Sequence, residues 1–268
     1  MTQTPSASAT PPKPANPLVG PGLAITWIAL CAALVAAPSG SLGGPLSFAV
    51  VMLGWVLSVM VHEFAHAAVA WLGGDRTIVE KGYLAFDPRR YGDLGVSLVL
   101  PLLALIMGGV GFPGGAVYIR NDLIRRRIMR SAAALAGPAA SFAIFLGLVV
   151  GLTVWGEAGV SSAGALALYA ALSVLAFLQL MGVMLNLLPL PGLDGFAVLR
   201  PYLPEALLFR SRRVEGIVML GLLLLLVMPN GLGSQLFSAA ARIGLAFGLN
   251  LDALQAGWRA FHFWQGSR

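Results

Sequence analysis

The chain has 268 residues, of which 58% are hydrophobic and only 10% charged, with a formal net charge of +6. A soluble domain carries about 25% charged residues, so the composition excludes an ordinary soluble core and indicates an all-α polytopic membrane protein, whose backbone groups are satisfied inside helices. The positive balance does not indicate nucleic acid, because the arginines sit in short loops between apolar runs, the positive-inside pattern of membrane topology.

Residues 1–20 are rich in Pro, Ser, Thr and Ala, with Lys13 as the only charge, and are expected to form a disordered tail. Residues 22–37 are the first transmembrane segment. A signal peptide ending near Ala36-Ala37 is the rival reading; the weak basic flank and the long preceding tail argue against it. The uncharged turn at 38–45 is expected to face outward. A second apolar run, from roughly Pro45 to Leu72, ends at Gly73-Gly74 and is followed by a polar loop from Asp75 to Asp93. Residues 94–112 are marginal for a crossing, broken by Pro101, Gly108, Gly109 and Gly111, with basic residues on both sides. Residues 131–155 and 165–188 span clearly. The run 214–228 is apolar but short, and the remainder, with Trp258, Arg259 and Trp264, has interfacial character. The expected architecture is therefore a tail at 1–20, a membrane domain at 21–230 with its core at about 46–200, and a membrane-associated C-terminal segment at 231–268. About five to six transmembrane helices are expected. The single cysteine, Cys31, leaves no disulfide framework.

The chemistry concentrates in the second run, at His62-Glu63-Phe64-Ala65-His66. Two of the three histidines of the chain are here. Four residues apart on a helix, they share one face and can hold one zinc ion. Glu63 lies beside the first of them, where a carboxylate can take a proton from water activated by the metal. Three ionisable groups in one turn of a membrane helix are costly without a function; a hydrogen-bonded core pair is the bland alternative.

A catalytic zinc usually takes three protein ligands. Position 72, where one known extension of the motif places a histidine, is Leu72. Glu80 and Asp87 lie in a loop expected to be in water, Glu157 on the opposite side of the membrane, and His262 among interfacial aromatics. Asp194 follows an apolar helix directly, after a proline-rich bend and before Gly195, and a carboxylate at a broken helix end near membrane depth is a functional candidate; a plain Asp-Gly turn is the alternative. For Asp194 to reach His62 and His66 the two helices must run parallel. That holds if 94–112 is re-entrant or kinked on one side rather than a full crossing, with the metal toward the cytoplasmic side. Its basic flanks agree, and its proline and glycines suit broken backbone that is buried or lines a cavity.

His-Glu-Phe-Ala-His at 62–66, Ala-Gly-Pro-Ala-Ala-Ser at 136–141 and Asn-Leu-Leu-Pro-Leu-Pro-Gly-Leu-Asp-Gly at 186–195, in this order, resemble the site-2 protease family of intramembrane zinc metalloproteases. The resemblance covers roughly residues 46–200 and implies a three-helix catalytic core. It also implies zinc held by His62, His66 and Asp194, with Glu63 as the catalytic acid/base, and cleavage in or near a transmembrane segment of a membrane protein substrate. Asn186 would position substrate or stabilise the oxyanion. Ser141 stands where the family commonly has Asn, and Gly192 where it often has Pro. No PDZ-like insertion fits the loops, which makes this a minimal member. Ala116 to Ile119, with Tyr118, suits an extended edge to which an unwound substrate could add as a strand; an ordinary linker is the alternative. A multi-pass protein of a prokaryotic cytoplasmic membrane is expected. The rival functions are a metal or ion transporter, which would show ligands repeated in two halves, and a catalytically silent membrane scaffold.

Overall fold

The computed structural model describes residues 16–37, 43–91, 117–228 and 231–265. Helix α1 covers Val19–Ala36, α2 Gly43–Gly73 and the single turn α3 Thr77–Glu80. After a 3-10 turn at Pro88–Arg90, α4 covers Arg127–Ala158, α5 Ala163–Asn186 and the short α6 Asp194–Leu199. The C-terminal part holds α7 (Glu205–Val227), α8 (Leu232–Ala246) and α9 (Leu251–Phe261). No strand occurs among the described residues.

Among the described residues, α1, α2, α4 and α5 are long and apolar enough to cross a membrane. At 1.5 Å per residue the 18 residues of α1 reach about 27 Å, close to the hydrocarbon thickness of about 30 Å. The 31 residues of α2 reach about 46 Å and so extend past the hydrocarbon. Five to six spans are expected of the whole chain. The segment 94–112 lies outside the described residues. The run 214–228 proves to be the second half of α7, which carries Glu205, Arg210, Arg212 and Arg213 before that run and Glu215 within it. The uncharged remainder from Gly216 measures about 18 Å, too short to span. At the other end, helix begins at Val19 rather than Gly22, inside the tail expected at 1–20.

Helix α5 is the axis of the bundle: 72% of its most apolar stretch is buried, against 11% for the peripheral α1. Phe177, Val174 and Met181 of α5 pack with Val50, Val51 and Trp55 of α2, with Phe145 and Val149 of α4, and with Leu254 and Phe261 of α9. The C-terminal segment thus enters the core with α9. In lipid there is little hydrophobic drive between helices, so close packing of small residues must hold them. Gly54 is such a contact, since a Cβ there would lie 2.7 Å from Leu175 of α5 and 2.9 Å from Trp27 of α1. The Trp27 indole N–H also donates to the Val50 carbonyl at 2.8 Å, tying α1 to α2.

Chain direction decides what can meet. Ile124, just before α4, packs on Gly73 at the end of α2, so α4 starts where α2 stops. Gly164, at the start of α5, sits against the carbonyls of Leu34 and Val35 at the end of α1, from which α2 departs. Helices α2 and α5 therefore run parallel, and their C-terminal ends share one side. Tyr91 and Val117, on the two sides of the undescribed stretch, pack in one cluster with Met60, Ala67 and Ile78 at that end.

The loop acids depart from expectation. Glu80 is exposed, but Asp75 and Asp87 are buried. Asp75 accepts from the Thr77 hydroxyl at 2.6 Å and from the Arg120 backbone N–H at 2.7 Å, fastening the 117–120 stretch to the end of α2. Asp87 accepts two bonds from the Arg89 guanidinium, at 2.8 and 2.7 Å, which holds its carboxyl down at about 2. Two spaced carboxylates in a polar loop look solvated in sequence; only the fold shows that each one closes a turn.

Candidate metal centre

His62 and His66 project from α2 about two-thirds along its length, both buried. Their Nε2 atoms are 3.0 Å apart. Asp194, at the start of α6, faces both: one oxygen is 3.2 Å from Nε2 of His62, the other 3.3 Å from Nε2 of His66. One ligand atom from each residue falls within 4.8 Å of the other two. Zinc–nitrogen bonds of about 2.0–2.1 Å at tetrahedral angles place neighbouring donors about 3.3 Å apart, so the set fits that ion.

The carboxylate arrives by a tight reversal. After Asn186 the chain folds back, with Leu190 N–H donating to Leu188 O at 2.8 Å and Leu193 N–H to Leu190 O at 3.0 Å. Gly192 takes φ +97°, open to glycine and barred to proline, and a Cβ there would lie 2.9 Å from the Met219 sulfur of α7. This is why the position departs from proline. The Ser131 hydroxyl of α4 donates to Val198 O at 2.7 Å and pins α6 in place.

Helix α4 supplies the surroundings of the imidazoles. His66 Nδ1 lies 2.7 Å from the Ala133 carbonyl and His62 Nδ1 2.9 Å from the Ser141 hydroxyl. A carbonyl only accepts, so Nδ1 of His66 carries the proton and Nε2 presents its lone pair to the shared space. Pro138, inside α4, has no N–H for the carbonyl four residues back and opens that turn, next to the carbonyl that His66 uses. Gly137 is the wall of the site: a Cβ there would run into Nε2 of both histidines. The missing side chain leaves the space an ion needs.

Glu63 is 2% exposed, and its carboxylate accepts from the Val117 backbone N–H at 3.1 Å. Asn186 is buried at the end of α5. Tyr118 is not drawn in: its side chain is 67% exposed, and its carbonyl accepts from the Lys81 ammonium at 2.9 Å. Residues 117–120 form no regular element. His262 is buried at the far end of α2, beside Trp258, Phe261 and Trp264, well away from the metal-ligand group. Sequence reasoning missed the Val117 amide and the Ala133 carbonyl, because a backbone contact leaves no residue type to read. Gly137 and Pro138 were visible as a motif but not as a site wall.

Comparison with known proteins agrees with this chemistry. The chain is 42% identical over 161 residues to "Putative zinc metalloprotease Rip2" of Mycolicibacterium smegmatis, covering 59% of each chain. It is 38% identical over 193 residues to the protein of that name from Mycobacterium tuberculosis, covering 70% of this chain and 68% of the relative. The chain belongs to the site-2 protease family. A more distant relative, "Putative zinc metalloprotease YwhC" of Bacillus subtilis, is 28% identical over 180 residues, 66% of this chain and 79% of its own. No family model and no solved structure matches. The matched segment spans less than two thirds of the M. smegmatis relative's length. Zinc is the metal these names carry, and this chain has in His62, His66 and Asp194 a group able to hold it.

Proposed function

We propose that this site-2 protease hydrolyses a peptide bond in or beside a transmembrane segment of another membrane protein. The observation that carries the reading is the position of the chemistry. His62, Glu63 and His66 are buried within a helix long enough to span, and Asp194 meets them from the end of a parallel span. His62, His66 and Asp194 would hold the metal. Bound zinc supplies Lewis acidity toward a carbonyl oxygen and acidifies water. Glu63, oriented by the Val117 amide, accepts a proton from water and returns it to the leaving amine nitrogen. Asn186 offers an amide N–H to the developing oxyanion. Ser141 and the Ala133 carbonyl keep the imidazoles in the tautomer that leaves Nε2 free.

A helical substrate hides its amides in its own hydrogen bonds and must unwind locally. Residues 117–119 lead straight to Glu63, and with the exposed Tyr118 they suit strand addition by an unwound segment. The end of the bundle that carries the site also carries Arg76, Arg120, Arg125, Arg126, Arg127 and Arg200. By the positive-inside rule this favours a multi-pass protein of a prokaryotic cytoplasmic membrane with the site toward the cytoplasm. A transporter is disfavoured because the described residues hold one His/Asp metal group and no second copy of it.

Glu63→Gln is the deciding variant. Reconstituted with a membrane-embedded substrate, it keeps zinc and loses cleavage by about 10²-fold or more. Undiminished cleavage by that variant would rule out the assigned role. Transport or a silent scaffold predicts no change.

A further inference from the structure

Where α2 ends and α4 begins, a groove of about 530 Å³ opens on the arginine-rich side of the bundle. Leu72, Leu123 and Met129 give it an apolar side, Arg125 and Arg126 a basic one, and among the described residues no acidic one lines it. Two neighbouring arginines have their charge taken: Arg89 pairs with Asp87 at 2.7 Å and Arg120 with Asp122 at 2.6 Å. Arg125 and Arg126 are exposed and have no carboxylate within salt-bridge distance among the described residues. Two guanidiniums beside an apolar wall match an amphiphile whose polar end is an anion.

The depth of the groove agrees. Arg76 lies over the Trp71 ring at 4.7 Å, one residue before Leu72 on α2, and tryptophan and arginine concentrate at the headgroup level. Leu72 is 67% exposed and Leu123 39% exposed, a cost in water but none against acyl chains. From these observations we infer that the groove seats an anionic phospholipid. Its phosphate lies on Arg125 and Arg126, and its upper acyl chain lies against Leu72 and Leu123. Such a lipid joins the ends of α2 and α4, whose packing through Gly73 and Ile124 is continuous with the turn where α4 touches His66.

The test uses the full chain purified with its lipid and exchanged into nanodiscs of phosphatidylcholine, with or without phosphatidylglycerol, and reads retained lipid by native mass spectrometry. Wild type retains phosphatidylglycerol in preference to phosphatidylcholine. Arg125→Gln with Arg126→Gln lowers that preference about 25-fold, about fivefold for each arginine near an anionic surface, while Arg→Lys at both positions keeps most of it. Arg210→Gln with Arg212→Gln, which removes equal charge from α7, leaves it unchanged. Equal loss in the α7 variant, or none in the groove variant, would overturn the inference. So would full displacement by inorganic phosphate, which would mark a free-anion site instead. Because the readout is lipid retention, the result is separable from whether the protein cleaves a membrane substrate.

Discussion

Ser141→Ala removes one oxygen and separates two roles for that position. The hydroxyl lies 2.9 Å from His62 Nδ1 at a buried site. Without it the Nδ1 proton has no acceptor, and an unpartnered buried donor costs about 1–3 kcal/mol. The imidazole is then free to rotate or to change tautomer. Outer partners of metal-ligating histidines are worth about 10- to 100-fold in metal affinity, which is about 1.4–2.7 kcal/mol and agrees with the first figure. Zinc affinity, measured by competition with a chromophoric chelator, is therefore expected to fall by that factor in Ser141→Ala. Thr, which keeps the hydroxyl, should restore most of it, and Asn, which brings an amide oxygen, part of it. The family resemblance alone assigns Ser141 to substrate. If Ser141→Ala binds zinc like wild type and loses only cleavage, the substrate role stands and the positioning argument is wrong.

Gly137→Ala places a methyl among the ligand nitrogens. Zinc affinity should fall more than 100-fold, and the melting temperature should fall as well, since forcing a methyl against the packed imidazoles costs about 1–3 kcal/mol, against the about 1 kcal/mol by which alanine favours helix over glycine. Gly192→Ala forces a left-handed backbone on a residue with a Cβ and crowds Met219. It should cost about 1–3 kcal/mol, read as a lower melting temperature together with weaker zinc binding as the Asp194 reversal loosens. Asp87 has its folded pKa lowered to about 2 from 3.8 by Arg89. Its contribution to stability is therefore complete above pH 3.8 and is lost as the pH falls through 2, about 1 kcal/mol after allowing for the exposed guanidinium. With chelator present throughout, the stability gap between wild type and Asp87→Asn should be constant above pH 4 and close below pH 3.

The convergence of His62, His66 and Asp194 was legible because such chemistry is rare in a membrane chain. Histidines at helical spacing, and a carboxylate after an apolar helix, are expensive enough to announce themselves. The parallel course of α2 and α5 was legible as what Asp194 needs to reach the histidines, with the basic flanks of the interrupted segment in agreement. That the arginines before 214–228, read in sequence as a loop, belong to the same helix was not. Nor were the roles of Asp75, Asp87 and Val117. A loop carboxylate looks solvated until its backbone partners are known, and an amide donor has no signature in sequence. Tyr118 is a different case. Its ring attracted attention as a residue, while the contact with the site runs through the backbone of its neighbour.

The bare backbone at Gly137 has an evolutionary consequence. On the proposed function, one methyl group separates a hydrolase from an inert lookalike. A descendant with that change would keep every histidine and acid in view while the space between them was filled. Whether homologues of this kind are enzymes or pseudoenzymes is therefore to be read first at the glycine, ahead of the residues that perform the chemistry.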